Sequence, residues 1–128
     1  MENKMEFEGL DVVKYLNGHN SVRDGALVGF SIQHIITEPV IELVFEVSRA
    51  GGVHTVKLEL RDIQEFQYDY SKEDPQYVIE ALKCIMTDTG DFFLSLDPYD
   101  EHEAFISDKD GDFFRSKFVK LTTQDSAT

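Results

Sequence analysis

The strongest constraint on this chain is a period of two in its hydrophobic pattern. Ile41, Leu43, Phe45 and Val47 alternate with Val40, Glu42, Val44 and Glu46, and Val56, Leu58 and Leu60 alternate with Thr55, Lys57, Glu59 and Arg61. Successive side chains of a strand point to opposite faces, so each run offers one face to a core. Ala50-Gly51-Gly52 lies between the runs and suits a tight turn, because glycine supplies positive φ at little cost. A hairpin over 40–61 follows. The same period appears upstream, where Ala26, Val28, Phe30 and Ile32 alternate with Leu27, Gly29, Ser31 and Gln33. Glu38-Pro39 is expected to break the chain there, since proline cannot continue a central ladder.

Other segments follow other rules. Val12, Val13 and Leu16 share one side at helical spacing and Asn17-Gly18 stops the pattern, which predicts one short N-terminal helix over 10–16. Residues 62–70 continue in β style with Phe66, Tyr68 and Tyr70 on one face, and 71–75 reads as a turn with Pro75 preset for it. The apolar run 78–86 fits a helix or a strand by periodicity alone. The turn-like 87–91 leading into Phe92-Phe93-Leu94-Ser95-Leu96 favours a strand. An acidic loop over 97–112, a closing strand over 113–121 and a fraying tail over 122–128 complete the chain. The expected fold is mainly β, or α+β, in one domain over 1–121. Six to seven antiparallel strands would form a sandwich or a strongly bent sheet, with the single helix packed at an end.

Charge narrows the partners. Twenty-five acidic against 12 basic side chains give a net charge of −13. Binding nucleic acid requires a basic footprint, and an anionic membrane surface likewise selects cations, so neither is expected as a partner. The charge suits steered encounter with a basic protein, or simply solubility in a bacterial cytosol. Cys84 is the single cysteine and sits in the apolar 78–86 run, where it reads as a small hydrophobe in a reducing compartment. Residues 1–8 are charged and lack the apolar stretch of a signal peptide, and no run approaches the roughly 20 residues of a membrane span. A cytoplasmic protein is the expectation.

Catalytic patterns are missing from the sequence. It contains no Gly-x-Ser-x-Gly elbow, no histidine near Cys84 and no phosphate-cradling glycine loop. His19, His34, His54 and His102 are scattered without zinc spacing. No enzyme and no cofactor are expected. Asp108-Lys109-Asp110-Gly111-Asp112 resembles the start of a calcium loop, but Ile106 and Lys117 then occupy two ligand positions they cannot serve. A looser calcium site, or a small-ligand pocket lined by Phe66, Tyr68 and Tyr70, stands as the alternative function; the rings serve equally as core.

The most distinctive segment is the acidic one. Between Asp97 and Asp112 lie seven carboxylates and a single lysine. Such crowding reads either as a solvated loop that guards a sheet edge or as a docking face for a basic protein. On the second reading Asp97, Tyr99, Asp100, Glu101, Asp108, Asp110 and Asp112 form the partner-binding surface, with Tyr99 and Phe105 as aromatic anchors. Self-association through an uncovered edge of strands 40–48 or 55–61 is a further expectation, giving a monomer or weak homodimer. The stretch Asp91-Phe92-Phe93-Leu94-Ser95-Leu96-Asp97-Pro98-Tyr99-Asp100-Glu101, with Asp110-Gly111-Asp112-Phe113-Phe114-Arg115-Ser116-Lys117, resembles small uncharacterised bacterial proteins, some of them grouped with polymorphic-toxin immunity proteins. The resemblance implies a cytosolic β-rich inhibitor that binds a cognate toxin and blocks its active site, with no catalytic residues to carry over.

Overall fold

The computed structural model describes residues 4–18, 21–49, 52–68 and 77–126. Its elements are β1 (Lys4–Glu8), α1 (Leu10–Asn17), β2 (Ala26–Ile35), β3 (Glu38–Arg49), β4 (Gly52–Gln67), β5 (Tyr77–Val78), β6 (Lys83–Met86), β7 (Phe92–Asp97) and β8 (Gly111–Ser126). The eight strands among the described residues belong to one sheet in the order β5-β2-β3-β4-β8-β7-β6, with β1 added beside β8. Every strand pairing is antiparallel. The fold is mainly β, with a single short helix among the described residues, as the periodicity indicates.

This sheet must curl. In a flat sheet, six interstrand gaps of roughly 4.8 Å would hold β5 and β6 about 29 Å apart. Only 79–82 joins them, and the chain from Val78 to Lys83 reaches at most about 18 Å. The seven-strand path therefore bends until its two edges approach each other. Bulges assist the bend: the register shifts between Leu27 and Gly29 in β2 and between Ile63 and Glu65 in β4, where Asp62 has φ 53. Across the interior Phe30 of β2 stacks on Tyr68, ring centroids 4.7 Å apart, and both approach Phe114.

The connector that closes the curl is firmly tied. Asp24 N–H donates to Ile79 O and Ile79 N–H donates to Gly25 O, both at 2.8 Å. Ile79 and Leu82 are fully buried in the core formed by Leu43, Phe45, Leu58, Leu60, Phe92, Leu94, Phe114 and Leu121. α1 supplies Val12, Val13 and Leu16 to the same core, and Asn17 Nδ2 donates to Cys84 O at 3.0 Å. Gly18 N–H, donating to Tyr15 O, ends the helix where the Asn17-Gly18 signal lies.

Several sequence expectations are corrected. The run 78–86 is not one strand: β5 and β6 lie on opposite edges of the sheet, because 79–82 is spent on closing it. The turn after β2 is at Ile36-Thr37, both at positive φ (60 and 99), and Pro39 lies within β3. Proline is tolerated there because the β3–β4 register begins only at Ile41. The β2 bulge flips the alternation, so Leu27 is buried and Val28 exposed. Thr122 to Ser126 do not fray as a tail but continue β8, paired with β4 through Ser126. β1, which the charged N-terminal sequence hides, pairs with Lys120–Gln124 of β8. Edge pairing through 40–48 or 55–61 is excluded, since β3 and β4 have partners on both sides. Ala50, Gly51, Tyr70 and the 71–75 turn lie outside the described residues.

Gly25, whose carbonyl accepts the Ile79 N–H, also lies hard against β3 just before β2 begins. A Cβ there would lie 2.7 Å from Val47 Cγ2 and 2.8 Å from Glu46 O. Gly25→Ala should therefore destabilise the fold by about 1–3 kcal/mol through overpacking. Urea unfolding followed by circular dichroism measures this, and a midpoint equal to the wild type would show that the contact between Gly25 and β3 has slack.

Candidate functional site

β7 is buried on both faces. Phe92, Leu94 and Leu96 enter the core, while Phe93 and Ser95 on the opposite face are 1% and 0% exposed. A strand covered on both sides reads as a continuous apolar run, which accounts for Phe92-Phe93-Leu94-Ser95-Leu96. The cover on the outer face is the acidic segment between β7 and β8, folded back over the sheet. Lys83 pairs opposite Ser95 in the β6–β7 register and so projects under that cover. Its side chain has no solvent exposure.

Burying an ammonium costs several kcal/mol unless its donors and its charge are matched. Lys83 Nζ meets three acceptors: Asp110 Oδ2 at 2.7 Å, Glu103 Oε1 at 3.2 Å and Phe105 O at 3.0 Å. Those are as many acceptors as the group has N–H donors. The Phe93 ring lies alongside, its centroid 6.0 Å from Nζ, and stacks on Phe113.

Asp110 is the other half of the pair, with a fully buried side chain. Its Oδ1 accepts the Tyr99 N–H at 3.0 Å and its Oδ2 the Ser107 N–H at 2.9 Å. Burial by itself raises the pKa of such a carboxyl; the Lys83 hydrogen bond, the two amides and the Lys83 charge outweigh it and hold the pKa below the usual value. One buried ion pair thus grips three points of the loop backbone, at Tyr99, Phe105 and Ser107.

Two of those points carry exposed rings. Tyr99 and Phe105 are each 62% exposed. Aromatic side chains displayed on a pinned backbone lose little further freedom when they bind, which is the property of an interface anchor. Asp97, Asp100 and Asp108 are exposed on the same segment. The remaining predicted contact acids are used internally. Glu101 Oε2 accepts the Leu82 N–H at 3.2 Å and lies 3.6 Å from Arg23 Nη2, so it braces the connector that closes the sheet. Asp110 and Asp112 are 4% and 3% exposed and cannot serve as contact charges in this fold. The sequence-derived surface thus shrinks to Asp97, Tyr99, Asp100 and Asp108, with Phe105.

Lys83 is the residue that sequence reasoning missed. Its signal was present: a strand apolar on both faces needs a cover, and a lysine on the neighbouring strand beneath that cover needs an acid from it. Cys84 points to the other side, into the core, where burial pushes its thiol pKa up and keeps it protonated. Among the described residues no group of three or more His, Cys, Asp or Glu side chains is placed to hold a metal ion. Asp110 in particular already faces an ammonium, which opposes calcium there. No helix among the described residues is long and apolar enough to cross a membrane. Comparison of the chain with protein-family models, curated proteins and solved structures returns no match.

Removing one partner of a buried pair strands the other. Asp110→Asn should cost about 3–5 kcal/mol, whereas Asp108→Asn on the exposed side should stay within about 0.5 kcal/mol. Asp110 has a depressed folded pKa, so its stabilisation is complete above the unfolded value of about 3.9 and is lost as pH falls from there through the folded pKa. Wild-type stability should accordingly drop more steeply than that of Asp110→Asn below about pH 3.9. Chemical denaturation at a series of acidic pH values tests this, and parallel curves would remove Asp110 from the acid response.

Proposed function

We propose that this domain is a non-catalytic protein-binding module whose 97–110 surface docks a basic partner. The observation that carries the reading is that Tyr99 and Phe105, both largely exposed, are fastened through their backbones to one buried ion pair. A solvated loop that only shields a sheet edge has no need of such a pin. The net charge of −13 supports a cationic partner, since complementary charge speeds encounter and fixes register. The two cations of β8 nearest the 87–91 turn leave the field acidic, because Lys117 and Arg115 lie 2.6 and 3.7 Å from the Asp91 carboxylate.

The fuller form of the proposal is an immunity-type inhibitor acting in the bacterial cytoplasm on a basic toxin domain, by steric occlusion and charge complementarity. It rests on the resemblance of the 91–101 and 110–117 segments. The alternative, a small-ligand or calcium-binding sheet domain, gains no comparable support: Phe30 and Tyr68 stack on one another and on the core.

Exposed charges at the margin of an interface act mainly on association rate and salt dependence. Combined Asp97→Asn, Asp100→Asn and Asp108→Asn should slow capture of a basic partner at low salt and lose that effect at high salt, while melting remains as in the wild type. Surface plasmon resonance with a partner recovered by co-purification measures both rates. An association rate indifferent to the three substitutions and to salt would refute the docking face.

A further inference from the structure

Within the docking face, the ring of Tyr99 is already engaged. Lys109 Nζ lies 4.8 Å from its centroid. Lys109 is the only Lys or Arg between Asp97 and Asp112, among seven carboxylates. Among the described residues its ammonium makes no ion pair with any of these acids and rests on the ring instead. The acid next to it in sequence, Asp110, is turned inward onto Lys83. An exposed ring that holds a cation, on a segment that also exposes Asp97, Asp100 and Asp108, has the chemistry to receive positive charge.

We propose that the Tyr99 ring receives an arginine side chain of the partner and that Lys109 is a resident occupant displaced on docking. This deepens the reading of the 97–110 surface as a docking face and rests on it. Arginine fits better than lysine for physical reasons. A guanidinium is planar, stacks on an aromatic face and is more weakly hydrated than an ammonium, and its fork of donors matches a carboxylate. A lysine in the resident position is therefore weak enough to be exchanged. Lys83 and Asp110 take no part in contact; they hold the Tyr99 backbone so that the ring is presented at a fixed place.

Titration of the full chain with oligo-arginine and oligo-lysine peptides of equal length, at low salt, tests the seat, with oligo-glutamate as the control. The arginine peptide should bind tighter than the lysine peptide. Tyr99→Leu should abolish that preference and Tyr99→Phe, which keeps the ring, should retain it. Lys109→Met should tighten arginine-peptide binding through charge alone in the Tyr99→Leu background, and by about two- to fivefold more where Tyr99 is present. Thermal melts of each variant confirm that these exposed changes leave the fold intact. Equal affinity for the two cationic peptides, or equal gains from Lys109→Met in both backgrounds, would overturn the seat while leaving the docking face standing. Failure of either cationic peptide to bind better than oligo-glutamate would overturn both.

Discussion

An ammonium with no solvent exposure must find its compensation inside the fold, and Lys83 finds nearly all of it in one loop. Asp110, Glu103 and the Phe105 carbonyl come from the segment between β7 and β8 and meet at its nitrogen. Without that segment the lysine would be left beside the Phe93 ring on an open sheet face. Without the lysine, Asp110 would be a buried carboxylate held by two backbone amides alone. Each half makes the other tolerable, and the pair fastens the acidic loop at Tyr99, Phe105 and Ser107. A buried pair often contributes little net stability over an apolar replacement. What it supplies here is position, by tying the backbone at Tyr99, Phe105 and Ser107 to one buried point.

The closure of the sheet and the placement of the loop are coupled through the same few residues. The segment 79–82 pulls the two sheet edges together, and Lys83 follows it at once as the first residue of β6. Glu101 accepts from Leu82 and lies near Arg23, whose guanidinium donates to the Leu82 carbonyl at 3.2 Å. The loop therefore braces the connector from outside while Ile79 and Leu82 anchor it from the core. Most of the apparent excess of negative charge in 97–112 is accounted for in this way: Glu101, Glu103, Asp110 and Asp112 serve the fold or are buried in it, and Asp97, Asp100 and Asp108 face outward.

Legibility followed physical locality. The β3–β4 hairpin and α1 were readable because strict alternation and helical spacing are local signals, and Leu43, Phe45, Leu58 and Val12 are buried as those patterns require. The split of 78–86 was not readable, since it arises from the closure of a sheet whose edges are distant in the pairing order. The bulge that exposes Val28 was hidden for a related reason: one extra residue reverses the parity on which the reading depends. Within the candidate site, Tyr99 and Phe105 are exposed as the sequence suggests, whereas the inward turn of Asp110 was not legible. A count of carboxylates cannot show which of them has a buried lysine as its partner.

Residue-resolved hydrogen exchange at the Tyr99 and Ser107 amides tests most directly whether the ion pair orders the loop. In the wild type both amides donate to Asp110 and should be protected well above an open loop. In Lys83→Met, which keeps an apolar chain of similar length beneath the cover, both should lose protection while the amides of Leu43 and Leu58 in the central strands keep theirs. Unchanged protection at Tyr99 and Ser107 in Lys83→Met would contradict the central claim, since the loop would then be held by something other than the buried pair.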